Sequence, residues 1–238
     1  MNIVIDFGNS SAKVGIFVQD KLTQRLSYTT ADELRQFLQT TGVDNLLVSS
    51  VKANAGDIIS WSQAKRKFIL ETSLPLPINV RYDTPQTLGV DRIAGVCGAR
   101  FLYPDQNALV IDAGTCVTYD FIDTNGNFIG GGISPGLQMR FQAMHTLTAK
   151  LPLVKPVANP TLVGSGTEQC MQSGGVLGLV DEIDGIISRY QSRYPGLRVI
   201  LCGGDGPFFE NQLKASIFAC PELVLLGLNS ILSHNVSL

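Results

Sequence analysis

An aspartate, a glycine turn and a lysine stand together near the start of this 238-residue chain, in Asp6-Phe7-Gly8-Asn9-Ser10-Ser11-Ala12-Lys13. A tight turn of Gly, Asn and Ser between two strands aims several backbone N–H groups one way, and such a nest holds phosphate oxygens by fixed partial charges. Asp6, at a strand end, could hold Mg²⁺ directly or through its waters, because Mg²⁺ takes few protein carboxylates. Lys13 could meet a phosphate as a point charge. The plainer reading is an ordinary hairpin turn, for which Gly and Asn are the usual residues. A second copy, Asp112-Ala113-Gly114-Thr115, shifts that balance. Two such turns could close on one nucleotide, with Thr115 donating to a terminal phosphate and Asp112 holding a cation.

Two further stretches carry possible chemistry. Gly89-Val90-Asp91-Arg92 opens a helix. Its bland reading is an acid that suits the helix dipole beside a solvated arginine. Its functional reading is that Asp91 orients a substrate hydroxyl or accepts its proton, while Arg92 binds a carboxylate or the moving phosphoryl group. Phosphoryl transfer asks for little beyond positioning and charge neutralisation. Cys202-Gly203-Gly204-Asp205-Gly206 follows a strand, and its glycines let a ligand such as an adenosine approach the backbone, or simply turn the chain. Gly130-Gly131-Gly132-Ile133-Ser134-Pro135-Gly136 lines a cleft or turns tightly, and Thr167 reads locally as an N-cap. His145 and His234 show no ligand spacing.

The elements that must position these residues repeat. Ile3–Asp6, Ala12–Val18 and residues 21–29 read as strands, with helices at Asp32–Gln39 and Asp57–Lys67 and a strand at Asn45–Val51 between them. Short extended pieces at Phe68–Leu70 and Ile78–Arg81 lead to a helix over Val90–Tyr103. Ala108-Leu109-Val110-Ile111-Asp112 then echoes Asn2-Ile3-Val4-Ile5-Asp6, and each copy is followed by a second strand and a turn. Helices at Leu137–Lys150 and Thr167–Tyr190, a strand at Arg198–Cys202 and a helix at Glu222–Ser233 complete the chain. An internal repeat constrains the whole fold. The expectation is an α/β protein of two homologous halves, residues 1–106 and 107–238, divided where Pro104-Asp105-Gln106-Asn107 breaks a helix.

Composition narrows the classes. Apolar residues are 45% and charged residues 16% of the chain, with a net charge of −2, as in ordinary globular proteins. The densest basic cluster, Lys65-Arg66-Lys67, reads as a solvated helix end, so no nucleic-acid partner is expected. Five cysteines lack any CxxC pair and read as reduced, buried thiols. No charged leader with an apolar region opens the sequence, and no run approaches the ~20 apolar residues of a membrane span. The expectation is a soluble, cytoplasmic protein.

The ordered set Asp6-x-Gly8-Asn9-Ser10-x-x-Lys13, Tyr82, Gly89-x-Asp91-Arg92, Asp112-Ala113-Gly114-Thr115, Gly131-Gly132-x-x-x-Gly136, Leu151-Pro152 and Gly166-Thr167 is similar to type III pantothenate kinases. The resemblance spans essentially the whole chain, including Gly203-Gly204 and Leu226-Gly227-Leu228. It implies the actin-like ATPase superfold: two ribonuclease H-like domains from a duplication, with the nucleotide in the cleft between them. It implies transfer of the ATP γ-phosphoryl group to the terminal hydroxyl of pantothenate, the first step of coenzyme A synthesis, by a homodimer. It also implies a divalent metal, Mg²⁺, and a monovalent cation, K⁺ or NH₄⁺. By motif match Asp6, Phe7, Gly8, Asn9, Ser10, Ser11, Ala12, Lys13 and Thr115 would contact ATP, and Asp112 would bind the monovalent cation rather than Mg²⁺. Tyr82, Gly89, Val90, Asp91, Arg92 and Thr167 would contact pantothenate, with Asp91 as proton acceptor. One departure is Cys116, where the family commonly has Ala; a small buried residue suits that strand, and thiol reagents would slow the enzyme if Cys116 faces the cleft.

A sugar kinase of the same superfamily is the nearest alternative, although Tyr82 with Gly89-Val90-Asp91-Arg92 suits a carboxylate-bearing alcohol better than a neutral sugar. A non-catalytic accessory factor for transcription is an alternative of another class. A filament protein or chaperone would need appendages for which 238 residues leave no room.

Overall fold

The computed structural model describes residues 1–8, 11–50 and 54–238, a mixed α/β chain that packs as two compact units. The first comprises Met1–Asp105, Ile122–Ile129 and Glu222–Leu238; the second comprises Gln106–Phe121 and Gly130–Pro221.

The first unit opens with β1 (Asn2–Phe7), β2 (Ala12–Val18) and β3 (Lys21–Tyr28), followed by α1 (Ala31–Thr40), β4 (Asn45–Ser50), α2 (Ala55–Ser60) and β5 (Arg66–Ile69). Their sheet order is β3-β2-β1-β4-β5, with β1 antiparallel to β2 and parallel to β4. Ile3, Val4 and Ile5 are all fully buried, because β1 is central and covered on both faces. Ile3 and Ile5 share one core with Val14, Leu46, Val48 and Leu34 of α1. A reciprocal capping box starts α1: Glu33 N–H donates to Thr30 Oγ1 at 3.4 Å, and Thr30 N–H donates to Glu33 Oε2 at 3.3 Å.

The expected helix to Lys67 stops at Ser60. Ser62 Oγ accepts from Ala64 N–H at 3.1 Å, a local turn that competes with the helix, and Arg66 and Lys67 then pair in register with Asn45 and Leu46 as part of β5. The basic cluster is therefore a strand start rather than a helix end. After β6 (Asn79–Val80) comes α3 (Val90–Leu102).

The second unit repeats the plan. It holds β7 (Ala108–Ala113), most of β8 (Cys116–Ile122), the later part of β9 (Asn127–Pro135), α4 (Leu137–Leu147), α5 (Thr167–Gln172), α6 (Gly178–Arg193), β10 (Arg198–Cys202), α7 (Gly206–Phe209) and β11 (Phe218–Ala219). The strand order β9-β8-β7-β10-β11 matches β3-β2-β1-β4-β5 position for position, and β10 runs parallel to both β7 and β11. The expected helix over 167–190 is interrupted by a π turn at Ser173–Leu177. A Cβ at Gly175 would come within 2.8 Å of the Phe141 ring, so this close passage requires glycine.

The last helix, α8 (Leu223–Ser237), falls in the second half of the sequence but packs within the first unit. A Cβ at Gly227 would sit 1.7 Å from the Ala94 carbonyl oxygen, and one at Gly98 would sit 2.3 Å from that of Leu223, so α3 and α8 touch backbone to backbone. Buried Asn229 accepts from Asn2 Nδ2 at 3.0 Å, and Arg66 Nη1 donates to the Val236 carbonyl at 2.7 Å. Leu223, Leu228, Ile231 and Leu232 are fully buried. An apolar helix of this kind has to be covered, and here it is the buttress of α3.

Candidate active site

In the first unit the candidate residues come from β1, β2 and the start of α3. Asp6 pairs in register with Lys13 across the β1–β2 hairpin. Strand alternation turns Ile3 and Ile5 toward the core with α1 and puts Val4 and Asp6 on the opposite face. Gly8 N–H donates to the Ser11 carbonyl at 3.1 Å and closes the turn. Phe7, Ser11 and Ala12 flank it, Ala12 being buried; Asn9 and Ser10 lie outside the described residues. Burial pushes the Asp6 carboxyl up to about 6; Lys13 pulls it back and the charge of Asp91 raises it further. Burial outweighs the pull of Lys13, so a further cation would favour the ionised form of this carboxylate.

Gly89 stands at the N-cap of α3 with no side chain. A Cβ there would lie 2.5 Å from Asp91 Oδ1, so the glycine leaves that carboxylate its space. Asp91 Oδ1 accepts from the Arg92 N–H at 2.9 Å. Arg92 is only 9% exposed, and its guanidinium lies 5.7 Å from the centroid of Tyr82. Tyr82 in turn stacks on Phe128 at 6.4 Å. The bland expectation of a solvated arginine is therefore wrong here: the charge is folded inward over an aromatic face, where a cation–π contact holds it. Val90 begins the helix, and buried Leu88 and Ile93 anchor this turn on either side of Asp91.

In the second unit Asp112 pairs in register with Cys202 of β10. Gly203 has φ +92°, and a Cβ there would meet the Ala113 carbonyl oxygen at 2.2 Å and Asp112 Oδ1 at 2.5 Å. Both its dihedral and the Asp112 carboxylate exclude a side chain. Thr115 is exposed at the tip of a turn closed by Gly114 N–H donating to the Cys116 carbonyl at 3.0 Å. Gly136 N–H donates to the Thr115 carbonyl at 3.1 Å, and a Cβ at Gly136 would lie 2.0 Å from the Gly114 carbonyl oxygen. The glycine-rich stretch thus seats this second turn. Thr167 is the first residue of α5 and exposed, while Gly166 occupies the cap position, so the N-cap expectation for Thr167 is corrected.

Among the described residues no group of three or more His, Cys, Asp or Glu gathers to hold a metal by itself. Single carboxylates at Asp6 and Asp112 fit ions that also lean on water and phosphate oxygens. All five cysteines are free thiols; Cys97, Cys202 and Cys220 are buried, but Cys170 is exposed and Cys116 half-buried, which corrects the expectation of uniform burial.

The supports of this site leave no mark in the local sequence. Glu182 accepts from Tyr119 Oη at 2.9 Å, from Ser134 Oγ at 2.5 Å and from the Arg140 guanidinium, tying β8, β9, α4 and α6 together behind the glycine-rich stretch. Burial raises the Glu182 pKa, but donation from Ser134, Arg140 and Tyr119 outweighs it and holds the group below its usual range. These four residues are too far apart in the chain for any local spacing to link them. Phe128, which backs Tyr82, carried no signal beyond strand periodicity.

The family model for type III pantothenate kinase matches residues 2–189. The chain is 43% identical over 236 residues to the type III pantothenate kinase of Cytophaga hutchinsonii, covering 99% of this chain and 100% of that one. It is 43% identical over 239 residues to that of Phocaeicola vulgatus, covering 99% of both. Among solved structures it resembles a protein from Campylobacter jejuni described as a Baf family transcriptional activator, with TM-score 0.66, 21% identity and coverage of 99% and 100%. It also resembles the glucokinase of an Antarctic psychrotroph, with TM-score 0.55, 12% identity and coverage of 98% of each chain. At such identities these structures speak for the fold alone, the actin-like ATPase fold that the repeated sheet order already describes. With its sequence matched nearly end to end, the chain belongs to the type III pantothenate kinase family, kinases that phosphorylate pantothenate with ATP in coenzyme A biosynthesis.

Proposed function

We propose that Asp91 is the residue that orients the pantothenate hydroxyl and accepts its proton, with Arg92 and Tyr82 binding the rest of that substrate. The observation that carries this reading is the α3 N-terminus: an acid with space kept for it by Gly89, beside a buried guanidinium over Tyr82. A buried guanidinium beside Asp91 suits the carboxylate of pantothenate better than a neutral sugar, because charge-assisted pairing is the stronger interaction. Gly89, Val90 and Thr167 complete the proposed substrate contacts.

The turn from Asp6 to Lys13 and the turn at Thr115 are the proposed ATP contacts. As an ATP-dependent kinase the enzyme works with a divalent metal such as Mg²⁺, which neutralises phosphate charge when bound. Asp6 fits this ion directly or through water, since burial and Asp91 leave its carboxylate in need of a cation. Asp112, its Oδ1 packed against Gly203, is the proposed ligand of K⁺ or NH₄⁺. The halves 1–106 and 107–238 are the proposed products of the duplication, a reading supported by the common sheet order.

A homodimer is part of the proposal. Ile133, Met139, Leu147, Leu153, Leu162 and Val163 of the second unit are exposed apolar side chains, and a second copy is the partner that would cover them. Gly174 and Gly178 meet nothing within 4 Å where a Cβ would be, which leaves that helix surface open to close approach. No helix among the described residues is long and apolar enough to cross a membrane. The cytoplasm, where ATP is made available to such kinases, is the proposed compartment.

The test is a coupled ADP-release assay with ATP, Mg²⁺ and K⁺, comparing pantothenate with glucose, glycerol and acetate. Turnover with pantothenate alone supports the assignment. Turnover with glucose instead would move it to the sugar kinases, and nucleotide binding without turnover would favour a regulator.

A further inference from the structure

Ser49 of β4 stands in register with Asp6 of β1. Leu46 and Val48 point into the core shared with Ile3 and Ile5, so Leu47 and Ser49 face the other way, on the side of Val4 and Asp6. Ser49 is 0% exposed, and its Oγ has no hydrogen-bond partner; among the described residues it is the one buried side-chain polar atom so left. An unpaired buried hydroxyl is a cost, and an alanine of nearly the same shape would avoid it. Its neighbours along this face, Val4 and Leu47, are fully buried hydrocarbon. The polar group that shares its register is the Asp6 carboxylate. Backbones of adjacent strands lie ~4.8 Å apart, so a rotamer change at either residue brings a hydroxyl and a carboxylate within bonding reach.

We propose that Ser49 is a positioning residue for Asp6: in the nucleotide-loaded enzyme its Oγ–H donates to one carboxylate oxygen and fixes the other toward the cation. This inference rests on the reading of Asp6 as the carboxylate that serves Mg²⁺ and ATP. The unpaired hydroxyl is then a donor held in reserve, its cost offset on binding. A hydrogen bond to a charged group is among the stronger ones, so its loss should be measurable in binding.

The experiment compares wild type, S49A, D6N and the S49A/D6N double variant. Each is melted without ligand and titrated calorimetrically with ATP in saturating Mg²⁺. The expected S49A protein melts at or above the wild-type temperature, yet binds Mg²⁺·ATP roughly tenfold more weakly, the size of one charge-assisted hydrogen bond. In the D6N background the same change costs clearly less, because the amide oxygen still accepts from Ser49 but carries no charge. Wild-type binding by S49A, or an equal loss in both backgrounds, overturns the proposal. So does an S49A protein that melts several degrees lower, which marks a structural defect. Unweakened binding by D6N overturns the reading of Asp6 along with this role. Weakened D6N beside unchanged S49A overturns the role of Ser49 alone.

Discussion

Asp6, near the end of β1, and Asp91, in the first turn of α3, are close enough for the charge of one to raise the pKa of the other. Two acids of like sign are brought together where burial already disfavours ionisation. A fold optimised for stability alone would not keep that arrangement; a site that receives a cation would.

The pH dependence of the ligand-free protein follows from Asp6. Its folded-state pKa is raised from 3.8 to about 6, so between those values the folded chain binds more protons than the unfolded one. Stability attributable to this group is present below pH ~4, falls as pH rises toward 6, and stays lost above it. The expected loss is about 2–3 kcal/mol. Asp6→Asn removes this component, so chemical denaturation of the variant at pH 7.5 should show higher stability than wild type, while its kinase activity is lost. A variant no more stable than wild type would contradict the origin assigned to the shift.

Asp91→Asn keeps the size of the side chain and removes its basicity. Turnover should fall by roughly 10²–10⁴, the usual contribution of a general base, while ATP affinity measured by calorimetry changes little. Near-wild-type turnover would take Asp91 out of the proton-accepting role.

Arg92→Lys keeps the charge but loses the flat guanidinium that lies over Tyr82. The expected result is a KM for pantothenate raised roughly tenfold or more, the scale of an imperfectly paired buried charge, with the KM for ATP nearly unchanged. A parallel rise in both KM values would instead indicate a general disturbance of α3.

Gly227→Ala tests the buttress. Its Cβ would lie 1.7 Å from the Ala94 carbonyl oxygen, a backbone atom that cannot rotate away. The two helices must separate, at a cost of about 3 kcal/mol, toward the upper end for overpacked sites. Thermal melting should show the loss, and kcat/KM for pantothenate should fall as Asp91 and Arg92 shift with α3. Wild-type melting would mean that α3 and α8 are not locked by this contact.

Replacement of K⁺ by Na⁺ should slow turnover, and Asp112→Asn should lessen the difference between the two salts. Equal rates of the wild-type enzyme in both salts would discredit the cation assignment of Asp112.

Much of the frame was legible from local chemistry. Alternating and continuous apolar runs mark β1, β2, β4, β7 and β8, because a strand's burial is written at neighbouring positions. The recurrence of Ile-Asp-x-Gly marked the repeat, and the order of the five-stranded sheet recurs within the second sheet, which adds β6 beside β9. The motif residues were also visible, since turns and helix starts use a small set of residue types. The fate of Arg66 and Lys67 was not legible: a helical spacing and a strand edge compete there, and β4 supplies the partner that decides it.

Chemical identity along the chain was thus enough to nominate Asp6, Asp91, Arg92 and Asp112 and to place the chain in its family. Only the tertiary structure buried Arg92 over Tyr82, brought the charge of Asp91 to bear on Asp6, placed an unpaired Ser49 beside Asp6 and clamped α3 with a helix from the far end of the sequence. The reason is physical. Residue type and short spacing govern local conformation, but burial, pKa shifts and unpaired hydrogen-bonding groups arise from neighbours distant in sequence.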